Sequence, residues 1–174
     1  MKAIELKHPL VLHKLSILRD KETGTKKFRE IISELSTMLC YEALKDAKLH
    51  EIEVETPMCK MKGQTISEDD YAFVPILRAG TGMLDGLMNV MPNAKIGHIG
   101  LYRNEETLKP VKYYYKMPKD IEKREVIVLD PMLATGGSAI AAIQFLKDRG
   151  AKSIKLVNLI AAPEGIKAVQ EAHP

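Results

Sequence analysis

The sequence is poor in the residues that mark several common classes of protein. Its 174 residues include no tryptophan, 5% aromatic residues and two cysteines. So few aromatic side chains give little support for a surface that stacks nucleic-acid bases. Cys40 and Cys59 form no Cys-x-x-Cys pair and belong to no Cys/His cluster with zinc-ligand spacing, so the sequence argues against a structural zinc site. We expect Cys40, on the apolar side of a helical pattern, to pack as a small hydrophobic residue.

Long apolar runs and a strong charge of one sign are also missing. No apolar run approaches the roughly 20 residues of a membrane-spanning helix, and residues 1–7 contain no signal-peptide core. The net charge of +3 is too small to indicate nucleic-acid binding, and basic and acidic residues are interleaved. We therefore expect a cytoplasmic protein that binds neither nucleic acid nor membrane, with residues 1–174 forming a single domain around a sizeable core.

A strand–loop–helix pattern occurs three times. Apolar runs at 71–77, 126–130 and 154–161 each lead through a short loop into a helical pattern. This alternation predicts an α/β fold with a doubly wound, mainly parallel sheet. Residues 96–117 read as two strands around a polar loop at 103–110, which together would form a flexible β-arm. A further strand would be expected after the last helical pattern.

Local signals predict several boundaries. Thr25 is a candidate N-cap, and Pro163 is placed to open the last helix. The helix after Thr25 carries an apolar face at helical spacing, formed by Phe28, Ile31, Ile32, Leu35, Met38 and Leu39. Residues 51–56 alternate like a half-exposed strand, residues 61–64 look like a turn, and residues 8–20 give no firm assignment.

The stretch from 126 to 138 is the most informative part of the chain. A continuous apolar strand ends on Asp130 and passes through Thr135-Gly-Gly-Ser138 into a helix. Carboxyl ends of parallel strands bind ligands, and helix N-termini bind anions. Gly136 and Gly137 would allow close approach and a positive φ, so a bulky residue at Gly137 should block a phosphate. We interpret the stretch as a pocket for a phosphorylated sugar, with the carboxylate on ribose hydroxyls. It lacks the spacing of the two common nucleotide loops, and the competing interpretation is an ordinary strand-to-helix turn.

A second loop follows the same logic. Arg78-Ala79-Gly80-Thr81-Gly82 comes after the 71–77 strand and before a helix, and arginine binds phosphate oxygens bidentately. If the two loops lie at neighbouring strand ends, one pocket has two anion sites. The competing interpretation of Arg78 is a structural ion pair. Arg103 and Lys109 lie in the polar loop, which is either a lid over a charged ligand or a solvated hairpin tip.

These motifs resemble those of uracil phosphoribosyltransferases. The Asp130–Ser138 stretch is similar to their loop for phosphoribosyl pyrophosphate (PRPP), and residues 75–80 are similar to their pyrophosphate loop. Residues 97–103 and 113–118 resemble their flexible arm. The resemblance extends over essentially the whole chain.

The resemblance implies that uracil and PRPP are converted to UMP and pyrophosphate. It implies catalytic roles for Arg78, Arg103 and Asp130. It also implies PRPP contacts from Arg78, Ala79, Gly80, Arg103, Asp130, Pro131, Met132, Leu133, Ala134, Thr135, Gly136, Gly137 and Ser138. Magnesium would be carried mainly by PRPP, with no direct protein ligand. The resemblance further implies a homodimer or higher homo-oligomer, with GTP as a possible effector.

The sequence departs from the family pattern in one respect. The family's uracil contacts lie in a C-terminal segment with Tyr-Ile-Val-Pro-Gly and Gly-Asp-Ala-Gly-Asp runs, which this sequence does not contain. No uracil-binding residue is therefore assigned, and a chain ending at Pro174 is expected to bind PRPP but to form UMP slowly or not at all. Two other functions remain open: a non-catalytic PRPP- or nucleotide-sensing regulator on the same fold, and a phosphosugar kinase, which the missing lysine loop disfavours.

Overall fold

A computed structural model describes residues 2–104 and 110–174, except for the side chain of Arg103. The helices are α1 (Pro9–Arg19), α2 (Thr25–Ala43), α3 (Thr81–Met88), α4 (Gly137–Lys147) and α5 (Pro163–Ala172). The strands are β1 (Leu49–Glu55), β2 (Lys60–Ile66), β3 (Tyr71–Leu77), β4 (Lys95–Ile96), β5 (His98–Arg103), β6 (Pro110–Lys116), β7 (Glu125–Leu129), β8 (Met132–Leu133), β9 (Ser153–Val157) and β10 (Ile160–Ala161).

The central sheet has the order β6-β5-β3-β7-β9, and β4 pairs with β3 on the same side as β5. Its strands are parallel except for β6, which runs antiparallel to β5. Strand β3 is central because its first six residues are apolar and buried, as expected for a strand covered on both faces. The predicted doubly wound, mainly parallel sheet is confirmed.

Helices cover both faces of this sheet. On one face, Phe73 and Ile127 pack with Leu87 of α3 and Cys40 of α2. On the other face, Val74 and the neighbouring β7 residues pack against α4. The alternating side chains of each buried strand thus supply two separate cores. Cys40 is fully buried as expected, and burial raises the pKa of its thiol to about 11.

The two loops singled out in the sequence begin at adjacent strand ends. Strands β3 and β7 are parallel neighbours, with Pro75 opposite Leu129. The chain leaves β3 through α3 towards β5 on one side, and leaves β7 through α4 towards β9 on the other. A reversal of this kind opens a crevice at the carboxyl ends of the strands. The fold therefore places the loops after Leu77 and Leu129 at the usual ligand-binding edge.

Several boundary predictions are confirmed, and others are wrong. The 71–77 strand and the helix start at Pro163 are confirmed. Thr25 is the first residue of α2 rather than its N-cap, because Gly24 holds the extended cap conformation. Residues 61–64 are not a turn: they lie within β2, which pairs with β1.

Longer-range contacts explain the remaining differences. Strand β2 pairs along its whole length with β1, and Thr56 closes the connecting turn by accepting the Cys59 N–H at 3.0 Å. The 154–161 run is divided into β9 and β10 at Asn158. Residues 9–19, which gave no firm assignment, form α1 because Val11 and Leu18 pack with Ile31 of α2.

The predicted arm contains the antiparallel pair β5 and β6. Arg103 pairs with Pro110 in this ladder, and a register shift occurs at Gly100/Leu101. The side chain of Arg103 and residues 105–109, including Lys109, lie outside the described residues. The lid prediction therefore stays a prediction. Within the described ranges, no helix combines the length and apolar character needed to cross a membrane.

Candidate functional site

A cavity of about 280 Å³ lies at the carboxyl end of β7. It is lined by Asp130, residues 132–139 and Pro110. Nearly the whole lining is therefore the stretch that the sequence predicts to be a phosphate loop. Pro110 is the first residue of β6 and pairs with Arg103, so the end of the arm next to its connecting loop also reaches this cavity.

The cavity wall leads directly into the first turn of α4. Gly136 is the N-cap residue, and its carbonyl accepts the Ile140 N–H at 2.8 Å. The first amides of a helix have no intrahelical acceptor and form the positive end of its dipole. Because Gly136 has no side chain, it cannot cap these amides itself. Residues 137–139 at the start of α4 line the cavity, which is therefore suited to an anion.

The two glycines of this loop do different things. Gly136 has φ +85°, and a Cβ there would lie 3.1 Å from the Gly165 carbonyl oxygen. Gly137 already belongs to α4, and a Cβ there would meet nothing within 4 Å. The expectation that Gly137 supplies a left-handed position is therefore wrong: the strained turn is made at Gly136. Gly137 instead leaves open space at the helix start.

Asp130 is half-buried at the carboxyl end of β7. Burial raises the pKa of its carboxyl group, because the charged form loses solvation, and a hydrogen bond from the Met132 N–H opposes this shift. The Asp130 N–H donates to the Val157 carbonyl at 3.2 Å. Its carbonyl accepts the side-chain amide of Asn158, whose Nδ2 lies 2.7 Å away.

Asn158 was not identified from the sequence as a site residue. Its only signal was a polar side chain that interrupts the apolar run between Ile154 and Ala161. Pro110 was missed as well, because nothing in its neighbourhood along the chain indicates that it reaches the cavity.

The Arg78 loop packs against the end of β7. Gly80 is buried, and a Cβ there would lie 2.4 Å from the Leu129 carbonyl oxygen and 2.7 Å from the Ile76 nitrogen. Only glycine allows this approach of two backbones. Thr81 closes the loop by donating its hydroxyl to the Arg78 carbonyl at 2.6 Å. The loop after β3 is thus held directly beside the strand that leads to Asp130.

Arg78 itself is exposed at this edge. The ion pairs of the described residues do not include it, so the structural ion-pair interpretation gains no support. Arg78, Ala79 and Gly80 are not among the described residues that line the cavity. The two loops are brought together by strand pairing and the Gly80 contact rather than by a shared cavity wall.

The cavity offers little to a bare metal ion. Asp130 is the one carboxylate among its described lining residues. Within residues 2–104 and 110–174 there is no group of three or more His, Cys, Asp or Glu side chains that could hold a metal. Magnesium commonly binds through one carboxylate together with substrate phosphates and water. The residues present therefore fit a magnesium ion that arrives with a phosphorylated substrate.

Comparison with known sequences gives a consistent result. The family described as uracil phosphoribosyltransferase matches residues 5–174. The uracil phosphoribosyltransferase of Finegoldia magna is 64% identical over 167 residues, covering 96% of this chain and 80% of that protein. The enzyme of the same name from Clostridium botulinum is 61% identical over 173 residues, covering 99% and 83%.

Solved structures agree with this result. A protein of Aquifex aeolicus superposes with a TM-score of 0.92 at 44% identity, over 98% of this chain and 81% of that one. A purine phosphoribosyltransferase of Pyrococcus horikoshii has a TM-score of 0.55 at 17% identity, over 76% and 74%, which shows the shared fold alone. Since the sequence match extends through the cavity loop and nearly the entire chain, this protein belongs to the uracil phosphoribosyltransferase family.

Proposed function

We propose that this protein transfers the phosphoribosyl group of PRPP to uracil, giving UMP and pyrophosphate in pyrimidine salvage. The observation that carries the proposal is the cavity formed by Asp130 and residues 132–139 at the start of α4, in a chain of this family. As a pentosyltransferase, it would break the bond from C1′ to the pyrophosphate oxygen and form a bond from C1′ to uracil N1. The N1 proton is released, so atoms and charge balance.

The 5′-phosphate of PRPP would bind at the first turn of α4. The proposed contacts are residues 135–138. Their backbone amides, together with the hydroxyl groups of Thr135 and Ser138, can donate hydrogen bonds to phosphate oxygens. The positive φ of Gly136 supports this assignment, because it turns the chain into the helix without a side chain in the way. Open space at Gly137 supports it as well.

The ribose would bind beside Asp130. A carboxylate accepts hydrogen bonds from two ribose hydroxyls, and the half-buried position of Asp130 strengthens such bonds relative to water. Magnesium bound with PRPP would supply positive charge at the pyrophosphate end of the substrate. A cation near the carboxylate would also favour the ionised form of Asp130, opposing the effect of burial on its pKa.

The pyrophosphate end would face Arg78 and Arg103. Support for Arg78 comes from its exposed position on a loop packed against the end of β7. Support for Arg103 comes from the family resemblance and from its backbone pairing with Pro110, which lines the cavity. No covalent nucleophile is needed, because positioned charges stabilise both the leaving group and an oxocarbenium-like C1′.

The remaining features are also proposed. The resemblance supports a homodimer or higher homo-oligomer, magnesium carried by PRPP, and GTP as an effector, whereas the cytoplasmic location is proposed from the sequence composition. PRPP contacts from Ala79, Gly80, Pro131, Met132, Leu133 and Ala134 belong to the same proposal.

Two measurements on the wild-type protein test the reaction. Calorimetric titration with PRPP and magnesium should show saturable binding, and incubation with PRPP and uracil should produce UMP and pyrophosphate in equal amounts. Hypoxanthine in place of uracil is the control and should yield no nucleotide. Saturable PRPP binding without uracil-dependent release of pyrophosphate, both in residues 1–174 and in a protein extended by a family-like C-terminal segment, would instead favour the sensing role. Turnover that appears only in the extended protein would support the transferase and place the uracil contacts in that segment.

A further inference from the structure

Residues 157–165 run along the back of the cavity loop, and we call them the support segment. Backbone hydrogen bonds join the two: the Leu159 and Ile160 N–H groups donate to the Pro131 carbonyl at 3.2 and 3.1 Å, and the Ala162 N–H donates to the Leu133 carbonyl at 2.8 Å. Strands β8 and β10 form a short parallel ladder at the same place. The cavity loop is therefore shaped by a segment nearly thirty residues away in sequence.

A side-chain hydrogen bond from Asn158 adds to the backbone bonds at this junction. Its Nδ2 lies 2.7 Å from the Asp130 carbonyl oxygen, and the side chain is half-buried. The residue that follows Asp130 is Pro131, which has no backbone N–H. The peptide group between Asp130 and Pro131 thus has a single hydrogen-bonding atom, and Asn158 holds it. Rotation of this peptide would move the Asp130 carboxylate, which lines the cavity.

Gly165 supports the loop by its lack of a side chain. It is the third residue of α5, and a Cβ there would lie 2.2 Å from the Ala134 carbonyl oxygen and 3.0 Å from Leu133 Cγ. The nearer atom belongs to the backbone, so it cannot swing aside. A side chain at this position would push the loop towards the cavity.

We propose that Asn158 and Gly165 are positioning residues that fix the shape of the cavity loop, Asn158 by orienting the Asp130–Pro131 peptide and Gly165 by letting α5 touch Ala134. The consequence for PRPP rests on the proposed function. The effect on the shape of the loop does not rest on it, because that effect follows from contacts within the protein.

Two substitutions at Asn158 separate the hydrogen bond from side-chain bulk. Asn158→Asp keeps the shape but sets an acceptor against the Asp130 carbonyl, and Asn158→Ala removes the donor without adding charge. Both should weaken PRPP binding and raise its KM about ten-fold, the cost of a buried group left unpaired, and leave the KM for uracil unchanged.

The control for added charge is Asn93→Asp. Asn93 is exposed and lies just before β4, which begins beside Ala72, at the opposite end of the sheet from the cavity. This variant should match wild type in PRPP affinity. An Asn158→Ala variant with wild-type PRPP affinity, or an Asn158→Asp variant with wild-type KM for PRPP, would overturn the role of Asn158.

Gly165→Ala tests the contact between α5 and Ala134, and Gly24→Ala is its matched control. A Cβ at Gly24 meets nothing within 4 Å, so that variant should behave as wild type. Gly165→Ala should weaken PRPP binding about ten-fold or more. Wild-type affinity in a folded Gly165→Ala protein would overturn the role of Gly165.

Amide hydrogen exchange on the ligand-free protein distinguishes this proposal from the proposed function. In Asn158→Asp and Gly165→Ala, the N–H groups of Asp130, Ile160 and Ala162 should exchange faster than in wild type, with β3 amides unchanged. Unchanged exchange at these positions contradicts the positioning role whatever PRPP does. If the variants exchange faster but the wild-type protein does not bind PRPP, the positioning role is supported and only the proposed function is contradicted.

Discussion

At the scale of single residues, the site depends on a carboxylate whose burial disfavours its charged form. Asp130 is half-buried, and burial raises the pKa of its carboxyl group. The ionised form is therefore less stable in the folded protein than in the unfolded chain. This penalty is fully present above the folded-state pKa and disappears as pH falls below the unfolded value of about 3.9. The residue thus lowers stability at the pH at which it would bind ribose.

Asp130→Asn should separate stability from activity. At pH 8 the neutral amide should raise Tm by about 1–3 °C, and kcat/KM for UMP formation should fall by about 100-fold or more. The gain in Tm should vanish near pH 3.5, where the wild-type carboxyl group is also neutral. The matched change Asp85→Asn, at an exposed position on α3, should leave activity unchanged. A lower Tm for Asp130→Asn at pH 8 would contradict the proposed cost of burial.

Arg78 gives a second prediction at this scale. Arg78→Lys keeps the charge but loses the planar fork that binds two phosphate oxygens. PRPP affinity should fall by about ten-fold, while affinity for ribose 5-phosphate, which lacks the pyrophosphate, should stay the same. Competition binding with both ligands measures the difference. Equal weakening for the two ligands would show that Arg78 does not act on the pyrophosphate.

At the scale of elements, the junction between the cavity loop and α4 has a defined shape. Gly136 takes the left-handed conformation and Gly137 begins the helix. Identical substitutions at these neighbouring positions should therefore differ in their effect on the stability of the fold. This contrast separates the backbone requirement of the turn from the space requirement of the ligand.

Gly136→Ala should destabilise the protein by about 1–2 kcal/mol, the cost of a left-handed conformation for an L-residue. Gly137→Ala should leave stability unchanged or raise it by about 0.5–1 kcal/mol, because alanine favours the helix, and should weaken PRPP binding by crowding the phosphate. Urea denaturation and PRPP titration measure the two effects.

Gly150→Ala is the control for strain away from the site. Gly150 has φ +88° in the loop after α4, and a Cβ there would meet Glu122 Cβ at 3.2 Å. This variant should lose stability as Gly136→Ala does and keep wild-type PRPP affinity. If Gly137→Ala destabilises the protein more than Gly136→Ala does, the assignment of the turn to Gly136 is wrong.

At the scale of the whole molecule, Lys155 joins three elements at one edge of the sheet. Its ammonium nitrogen lies 2.7 Å from the Ala43 carbonyl at the end of α2 and 2.7 Å from Glu125 Oε1 on β7, and it contacts Asp46. Burial lowers the pKa of Lys155, but the contacts with Asp46 and Glu125 outweigh this effect and raise it overall. The hydrogen bond from Lys155 holds the pKa of Asp46 below its usual value.

Lys155→Met should lower Tm by about 2–6 °C at pH 7, since Glu125 and the Ala43 carbonyl lose their partner. The stability from Asp46 is present above its unfolded pKa and is lost as pH falls through the lower folded value. The stability from Lys155 is present below its unfolded pKa and is lost as pH rises through the raised folded value. The Tm difference from wild type should therefore shrink below about pH 4 and above about pH 10.5. A difference that stays constant from pH 3 to pH 11 would contradict the ion-pair account.

The sequence alone was sufficient for the features that depend on neighbouring residues. The apolar run Tyr71–Leu77 is a strand with the predicted bounds, and Pro163 opens α5, because burial on both faces and the fixed φ of proline leave local signals. The order of strand, Asp130, small residues and helix was predicted for the same reason. The repeated strand–loop–helix pattern was also enough for the doubly wound fold, since crossover connections follow general rules.

Tertiary structure decided the features that depend on residues far apart in the chain. Gly136 rather than Gly137 takes the positive φ, and a side chain at Gly136 would meet Gly165. Asn158 contacts the site because β9 ends beside Asp130. Residues 61–64 form a strand because β1 pairs with them. In each case the deciding contact is a hydrogen bond or a close backbone approach whose partner the local pattern does not contain.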